Sequence, residues 1–119
     1  NVDINKNSRA DVLADARFLP FQDDSFDSVY FNGLLHHIKH PELGWAEICR
    51  VSRKMIVGFE PTFFNLTAHM DPSHDYHGFR RGHLKKLCRF PGRLSIRYCL
   101  VLPFSPVFEI LAIKAGIGG

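Results

Sequence analysis

The chain has 119 residues, of which 45% are hydrophobic and 23% charged, a balance typical of one globular domain and not of a disordered or fibrous protein. Its formal net charge of +3 is too small to indicate an anionic partner by itself. The three cysteines are widely spaced and form no C-x-x-C pair, so we expect reduced thiols at Cys49, Cys88 and Cys99 and neither a disulfide framework nor a zinc site.

The start of the chain has the pattern of the end of a buried strand, since Val2 and Ile4 flank Asp3. We therefore expect a further strand upstream of Asn1. No signal peptide pattern and no apolar run of about 18 residues is present, which predicts a cytoplasmic protein without a membrane span.

The first half alternates short apolar runs with one amphipathic segment, as in an α/β fold. We predict strands at residues 12–14 and 26–31, joined by a turn at 23–25, and a helix from Pro41 to about Ser52. Residues 54–59 form a continuous apolar run, typical of a central parallel strand. Right-handed crossover geometry places this strand beside the strand at 26–31.

The second half changes composition. Residues 62–93 are rich in histidine, arginine, aspartate and glycine, which predicts loop structure with one helix at 82–89. Residues 94–102 and 107–114 are strand-like runs joined by 103–106, and we predict that they form a closing antiparallel hairpin.

Ligands of an open parallel sheet bind outside the carboxyl ends of its strands, where this chain places Asp3, Asp15-Ala16 and Asn32-Gly33. A carboxylate such as Asp3 can accept hydrogen bonds from ribose hydroxyls. A second one, Asp15, can accept from the exocyclic amine of adenine while the small Ala16 lets the ring approach the backbone. The alternative is that both aspartates only cap loops or helix starts.

Residues 15–29 read D-A-R-F-L-P-F-Q-D-D-S-F-D-S-V, and L-H-H-I follows at 35–38. This segment resembles the type 11 group of class I S-adenosylmethionine-dependent methyltransferases, whose pattern is D-A-x-x-L-P-F-x-D-x-S-F-D-x-V followed by L-H-H or a close variant. The family's next helix carries a glutamate and an arginine, similar to Glu47 and Arg50. The resemblance covers residues 2–61.

The resemblance implies a Rossmann-like, doubly wound, mostly parallel sheet with a C-terminal antiparallel hairpin, without the family's first strand and glycine loop. The 119 residues would be a partial methyltransferase domain, with a cofactor-side half at 1–61, an acceptor-side region at 62–93 and closing strands at 94–119. It implies S-adenosylmethionine as the cofactor and methyl transfer to an unknown acceptor, expected to be a small molecule. The implied cofactor residues are Asp3 and Ile4 at the ribose, Asp15 and Ala16 at the adenine, and Phe31, Asn32 and Gly33 at the methionine end.

Two departures from the family pattern predict local differences. Residues 4–14 are too few for the helix that the family has there, so we expect a loop. The turn before Met55 is shorter than in the family, since residues 52–54 lead directly into the strand.

Methyl transfer needs mainly the positioning of donor and nucleophile, so no catalytic dyad is expected. A histidine near the acceptor can serve as a base, which makes His37 and His77 candidates, although solvated loop histidines are the alternative. The seven histidines match no metal signature, so we expect no metal. The cations at 80–89 are interpreted as a solvated helix face, and we expect no nucleic acid partner.

Two rival functions remain open from the sequence. A remnant of the fold that has lost cofactor binding would act as a non-catalytic interaction module. A nucleotide-binding oxidoreductase would share the fold but not residues 19–27.

Overall fold

The structure, a computed structural model, describes residues 1–4, 6–7, 9–62, 78–100 and 106–115. In chain order its elements are β1 (Val2–Asp3), β2 (Val12–Leu13), β3 (Phe26–Asn32), α1 (Pro41–Val51), β4 (Ser52–Pro61), α2 (Arg81–Leu87), β5 (Gly92–Leu100) and β6 (Pro106–Lys114). A short 3-10 turn, Leu35–His37, precedes α1.

Four of the strands form one sheet in the order β3-β4-β6-β5. β3 and β4 are parallel, whereas β6 is antiparallel to both β4 and β5. β1 and β2 form a separate parallel pair. The expected Rossmann-like α/β architecture with a closing antiparallel hairpin is confirmed, and the hairpin joins the sheet through its second strand.

The β3-α1-β4 unit follows from local sequence signals. Pro41 occupies the start of α1, where its fixed φ favours the helix and its missing N–H costs nothing. α1 ends at Val51 and β4 begins at the next residue, so the short turn expected before Met55 contains no loop residue. At the start of β4, the Ser52 hydroxyl donates a hydrogen bond to the Met55 carbonyl over 3.0 Å. The pairing register of β3 with β4 shifts near this point, between Phe26 and Ser28 of β3.

The core lies between the four-stranded sheet and the helices. Phe31 packs edge-on against Trp45, which lies 3% exposed on α1. Gly58 lies opposite Phe31 in the β3–β4 register, and a Cβ there would come within 2.1 Å of the ring. The core also includes Leu35, Ile48, Ile56, Phe79, Leu84, Cys88, Ile96, Phe108, Ile110 and Ala112.

Several predicted boundaries shift by a few residues. The helix predicted at 82–89 is α2, which ends at Leu87 because Cys88 leaves the helical conformation with ψ at 57°. The strand predicted at 94–102 is β5, which begins at Gly92 because that residue already pairs with Lys114. The described residues among 4–14 contain no helix, as expected. Of the loop region predicted at 62–93, residues 63–77 lie outside the described residues.

Candidate functional site

A cavity of about 1070 Å³ lies between the β1–β2 pair and β3. Its wall includes the residues that follow the carboxyl ends of these three strands. All seven residues predicted for cofactor binding line it: Asp3, Ile4, Asp15, Ala16, Phe31, Asn32 and Gly33. The structure therefore brings together side chains that are up to 30 residues apart in the sequence.

The cavity also extends along the edge of β3 that faces away from β4. This part is lined by Phe26, Ser28, Val29 and Tyr30. The described residues supply no strand that pairs with this edge, and Tyr30 is 63% exposed. The two carboxylates that line the cavity, Asp3 and Asp15, belong to its end at the strand termini.

The Asp15 carboxylate is held by its own neighbour Arg17. Oδ1 accepts from the Arg17 backbone N–H at 2.9 Å and from Nε at 3.0 Å, while Oδ2 accepts from Nη2 at 2.6 Å. These hydrogen bonds lower the pKa of Asp15. The guanidinium also lies over the Phe18 ring, with 5.6 Å between Cζ and the ring centroid. Asp15 and Arg17 are two residues apart in the sequence, but this spacing alone does not predict that their side chains are in contact.

Asp3 is the last residue of β1, and Asp15 lies two residues after the end of β2, which runs parallel to β1. Asp3 pairs with Leu13 in the register, and the Ala14 N–H donates to the Asp3 carbonyl over 2.9 Å. Two carboxylates therefore lie at or just after the carboxyl ends of adjacent strands. Asp3 and Ile4 are both exposed.

The backbone at Asn32-Gly33 turns sharply after β3. Gly33 has a φ of +58°, which favours glycine, and its N–H donates to the Phe59 carbonyl over 2.8 Å. This bond ties the turn to the end of β4. The backbone of Gly33 is thereby held at the cavity wall.

The segment after Asp15 is fastened to helix α1. A carboxylate oxygen of Glu47 accepts from the Leu19 N–H over 2.8 Å, and Glu47 also receives hydrogen bonds from Arg50 at 2.7 and 2.9 Å. Arg50 in turn reaches Asp23 at 2.9 Å. The glutamate and arginine of α1 thus hold the chain that runs from the cavity into β3.

The two histidines of the 3-10 turn differ in their surroundings. His37 is exposed and lines the cavity. His36 is 5% exposed and contacts Glu60, a residue of β4 that is 1% exposed. The sequence identified neither this pair nor the burial of Glu60, which stands at the end of an apolar run before Pro61. The other base candidate, His77, lies outside the described residues.

The remaining titratable groups form no further centre in the part of the chain that the structure describes. No group of three potential metal ligands occurs there. Burial raises the pKa of the Cys49 thiol to about 11 and raises that of Cys88 further, so neither forms a thiolate readily at neutral pH. The basic residues Arg81, Lys85 and Lys86 of α2 are exposed. No described helix is long and apolar enough to span a membrane.

Comparisons with known proteins show similarity to methyltransferases in sequence and in fold. A family model described as a methyltransferase domain of the type 11 group matches residues 2–55. A protein from Bacillus halodurans, named provisionally as a methyltransferase, has a similar structure with a TM-score of 0.64 and 17% identity over 87% of this chain and 70% of its own. A SAM-dependent methyltransferase from Thermotoga maritima matches with a TM-score of 0.66 and 17% identity, over 87% of this chain and 63% of its own. No curated protein matches the chain.

The fold is therefore that of the class I methyltransferases, and the cavity lies at the carboxyl ends of the strands, where this class binds its ligands. Residues 2–55 are similar to the type 11 methyltransferase family. The resemblance seen in the sequence is confirmed, and the family's cofactor is S-adenosylmethionine.

Proposed function

We propose that this chain, as part of its full-length protein, binds S-adenosylmethionine in the cavity and transfers the methyl group to a small-molecule acceptor. One observation carries the proposal: the seven residues expected to hold the cofactor line the same cavity in a chain whose first half matches a methyltransferase family. The comparisons give no support to the alternative of a non-catalytic interaction module. A cytoplasmic location stays a prediction.

The carboxylates of Asp3 and Asp15 are hydrogen-bond acceptors that fit the donors of the nucleoside part of the cofactor. Asp3 offers a carboxylate to the two ribose hydroxyls, and Asp15 offers one to the adenine amine. Ala16 is half-buried beside it and leaves room for the flat ring. A carboxylate has about four acceptor positions, and Arg17 Nε divides one N–H between Oδ1 at 3.0 Å and Oδ2 at 3.2 Å. Giving up the longer of these two contacts leaves Oδ2 one position for a hydrogen bond from the base.

The methionine end of the cofactor would lie against the turn after β3. Phe31 supplies a buried apolar base under this turn, and the backbone of Asn32 and Gly33 forms its wall. The hydrogen bond from the Gly33 N–H to the Phe59 carbonyl holds this wall to β4.

The cofactor supplies an electrophilic methyl group on a sulfonium, and the displacement needs the acceptor in line with it. The chain's own contribution is to bind and orient. His37 faces the cavity and can take a proton from an acceptor that must lose one. No other step requires an acid or a base.

The test is calorimetric titration of the full-length protein with S-adenosylhomocysteine and with S-inosylhomocysteine, in which a carbonyl replaces the adenine amine. We expect the wild-type protein to prefer the adenine compound by about tenfold or more, because a carboxylate cannot donate to that carbonyl. Asp15→Asn, which can donate, should lose the preference. Asp27→Asn is the matched control, since Asp27 lies on the surface and pairs with Arg53.

The two parts of the proposal fail separately. No binding of either compound by the intact protein would overturn cofactor binding. Tight binding with an unchanged base preference in Asp15→Asn would leave the function standing and refute the adenine role of Asp15.

A further inference from the structure

Glu60 is a fully buried carboxylate at the carboxyl end of β4. Its side chain has no exposed surface, and it follows the apolar run of the strand. Burying a charged group costs several kcal/mol unless hydrogen bonds replace the lost water. The partners of Glu60 therefore decide why it is there.

Within the part of the chain that the structure describes, the hydrogen bonds to Glu60 come from three consecutive residues of the turn after β3. Oε1 accepts from the backbone N–H groups of Leu34 at 2.9 Å and Leu35 at 2.6 Å. Oε2 lies 2.8 Å from Nδ1 of His36 and 3.4 Å from its backbone nitrogen. The 3-10 turn has no side-chain cap at its own N-cap residue, Leu34, and the carboxylate from the neighbouring strand supplies this role.

The contact also determines the hydrogen position on His36. A carboxylate oxygen accepts, so Nδ1 of the imidazole carries the hydrogen and donates it. In the neutral ring, Nε2 is then the acceptor. One carboxylate thus sets both the backbone of the turn and the tautomer of its buried histidine.

The turn held in this way forms part of the cavity wall. Gly33, Leu34 and His37 line the cavity, and the rings of His36 and His37 lie 4.1 Å apart between centroids. A Cβ at Gly33 would lie 3.3 Å from Cε1 of His36, so the histidine also packs against the glycine turn. A substitution at Glu60 that moves His36 would therefore also affect Gly33 and His37, which both line the cavity.

We infer that Glu60 is a positioning residue, which holds residues 33–37 at the cavity and keeps His36 in the tautomer with hydrogen on Nδ1. Its effect on the cofactor rests on the proposed function, whereas the tautomer does not. Glu60 touches no reacting atom and acts through the turn.

The decisive variant is Glu60→Gln in the full-length protein. The side-chain oxygen of glutamine can still accept from Leu34 and Leu35, but its NH₂ group then faces Nδ1 of His36. We expect His36 to move its hydrogen to Nε2, which the imidazole ¹⁵N chemical shifts report. We also expect the affinity for S-adenosylhomocysteine to fall about tenfold or more in calorimetry.

Glu109→Gln is the matched control. Glu109 lies on β6 of the same sheet and pairs with Arg97, away from the cavity wall. It should leave both the His36 shifts and the affinity unchanged. A hydrogen on Nε2 in the wild type, an unchanged tautomer in Glu60→Gln, or a changed tautomer with full affinity would each overturn the inference.

If Glu60→Gln does not fold, two variants of His36 test whether its contact with Glu60 positions the turn. The amide nitrogen of asparagine can take the place of Nδ1, so His36→Asn should keep most of the wild-type affinity, whereas His36→Leu should lose about tenfold. Equal losses of affinity in the two variants would contradict the positioning role of Glu60. If the wild-type protein binds no S-adenosylhomocysteine, the proposed function fails, and the ¹⁵N shifts still test whether Glu60 sets the tautomer.

Discussion

Arg50 of α1 donates a hydrogen bond from Nη2 to the backbone carbonyl of Leu19 over 3.0 Å, across 31 residues of sequence. Its Nη1 also donates to the carbonyl of Phe21 over 2.7 Å. The guanidinium therefore binds two backbone carbonyls of the Leu-Pro-Phe segment, residues 19–21. Glu47 accepts a hydrogen bond from the N–H of Leu19 in the same segment. This relationship explains physically why this segment and a later glutamate and arginine occur together in the sequence.

The first prediction concerns Arg50. Replacing it by alanine should lower the melting temperature by several degrees, because two backbone carbonyls and Glu47 lose their donor. Arg50→Lys should recover little of the loss, since an ammonium group cannot donate in several fixed directions. Thermal unfolding followed by circular dichroism measures both.

Arg53→Ala is the control for this prediction. Arg53 also forms an ion pair, with Asp27, but both side chains are more than half exposed. Its removal should change the melting temperature by no more than about 2 °C. Similar losses for Arg50→Ala and Arg53→Ala would mean that the contacts of Arg50 to the backbone add no stability.

The second prediction is a pH dependence of stability at Glu47. The hydrogen bond from Arg50 lowers the pKa of Glu47 below its ordinary value of 4.5. A carboxyl group with a lowered pKa in the folded state stabilises the fold above its unfolded pKa, and this contribution is lost as the pH falls through the folded pKa. The wild type should therefore be more stable than Glu47→Gln at pH 6.

The difference between the two proteins should shrink as the pH falls below about 4.5. Urea unfolding at several pH values from 6 down to 3 measures it. A constant difference over this range would show that Glu47 acts through its shape and not through its charge.

The third prediction compares two glycines. A Cβ at Gly58 would overlap the ring of Phe31, so Gly58→Ala should destabilise the fold by about 1–3 kcal/mol. At Gly82, in α2, a Cβ meets nothing within 4 Å, and alanine there should be neutral or stabilising by up to about 1 kcal/mol. Urea unfolding of both variants gives the values. A tolerated alanine at Gly58 would refute the close approach of β4 to Phe31.

Much of the fold could be predicted from local patterns, and the reasons differ between elements. The apolar run around Ile56 and the amphipathic segment after Pro41 have clear periods, so β4 and α1 were located to within two residues. The position of β6 between β4 and β5 was not predicted, because two consecutive strands of a hairpin give no signal for which of them joins the sheet.

Part of the candidate site could also be predicted from the sequence, and part could not. The strand-end residues, which line the cavity, could be proposed from the sequence because the carboxyl end of a parallel strand is a general location for ligands. The contacts of Arg17 to Asp15 and of Glu60 to His36 were missed. The second joins residues 24 positions apart, and only the register of β3 and β4 brings them together.

The last prediction concerns Asp3, the carboxylate expected at the ribose. Asp3→Ala should weaken binding of S-adenosylhomocysteine by about tenfold to a hundredfold, since a hydrogen bond to a charged acceptor is lost. The 2′-deoxy analogue separates this contact from a general effect on the site. In the wild type the analogue should bind more weakly than the parent compound, whereas in Asp3→Ala the two should bind about equally. Equal weakening of both ligands by Asp3→Ala would show that the carboxylate does not contact the 2′-hydroxyl.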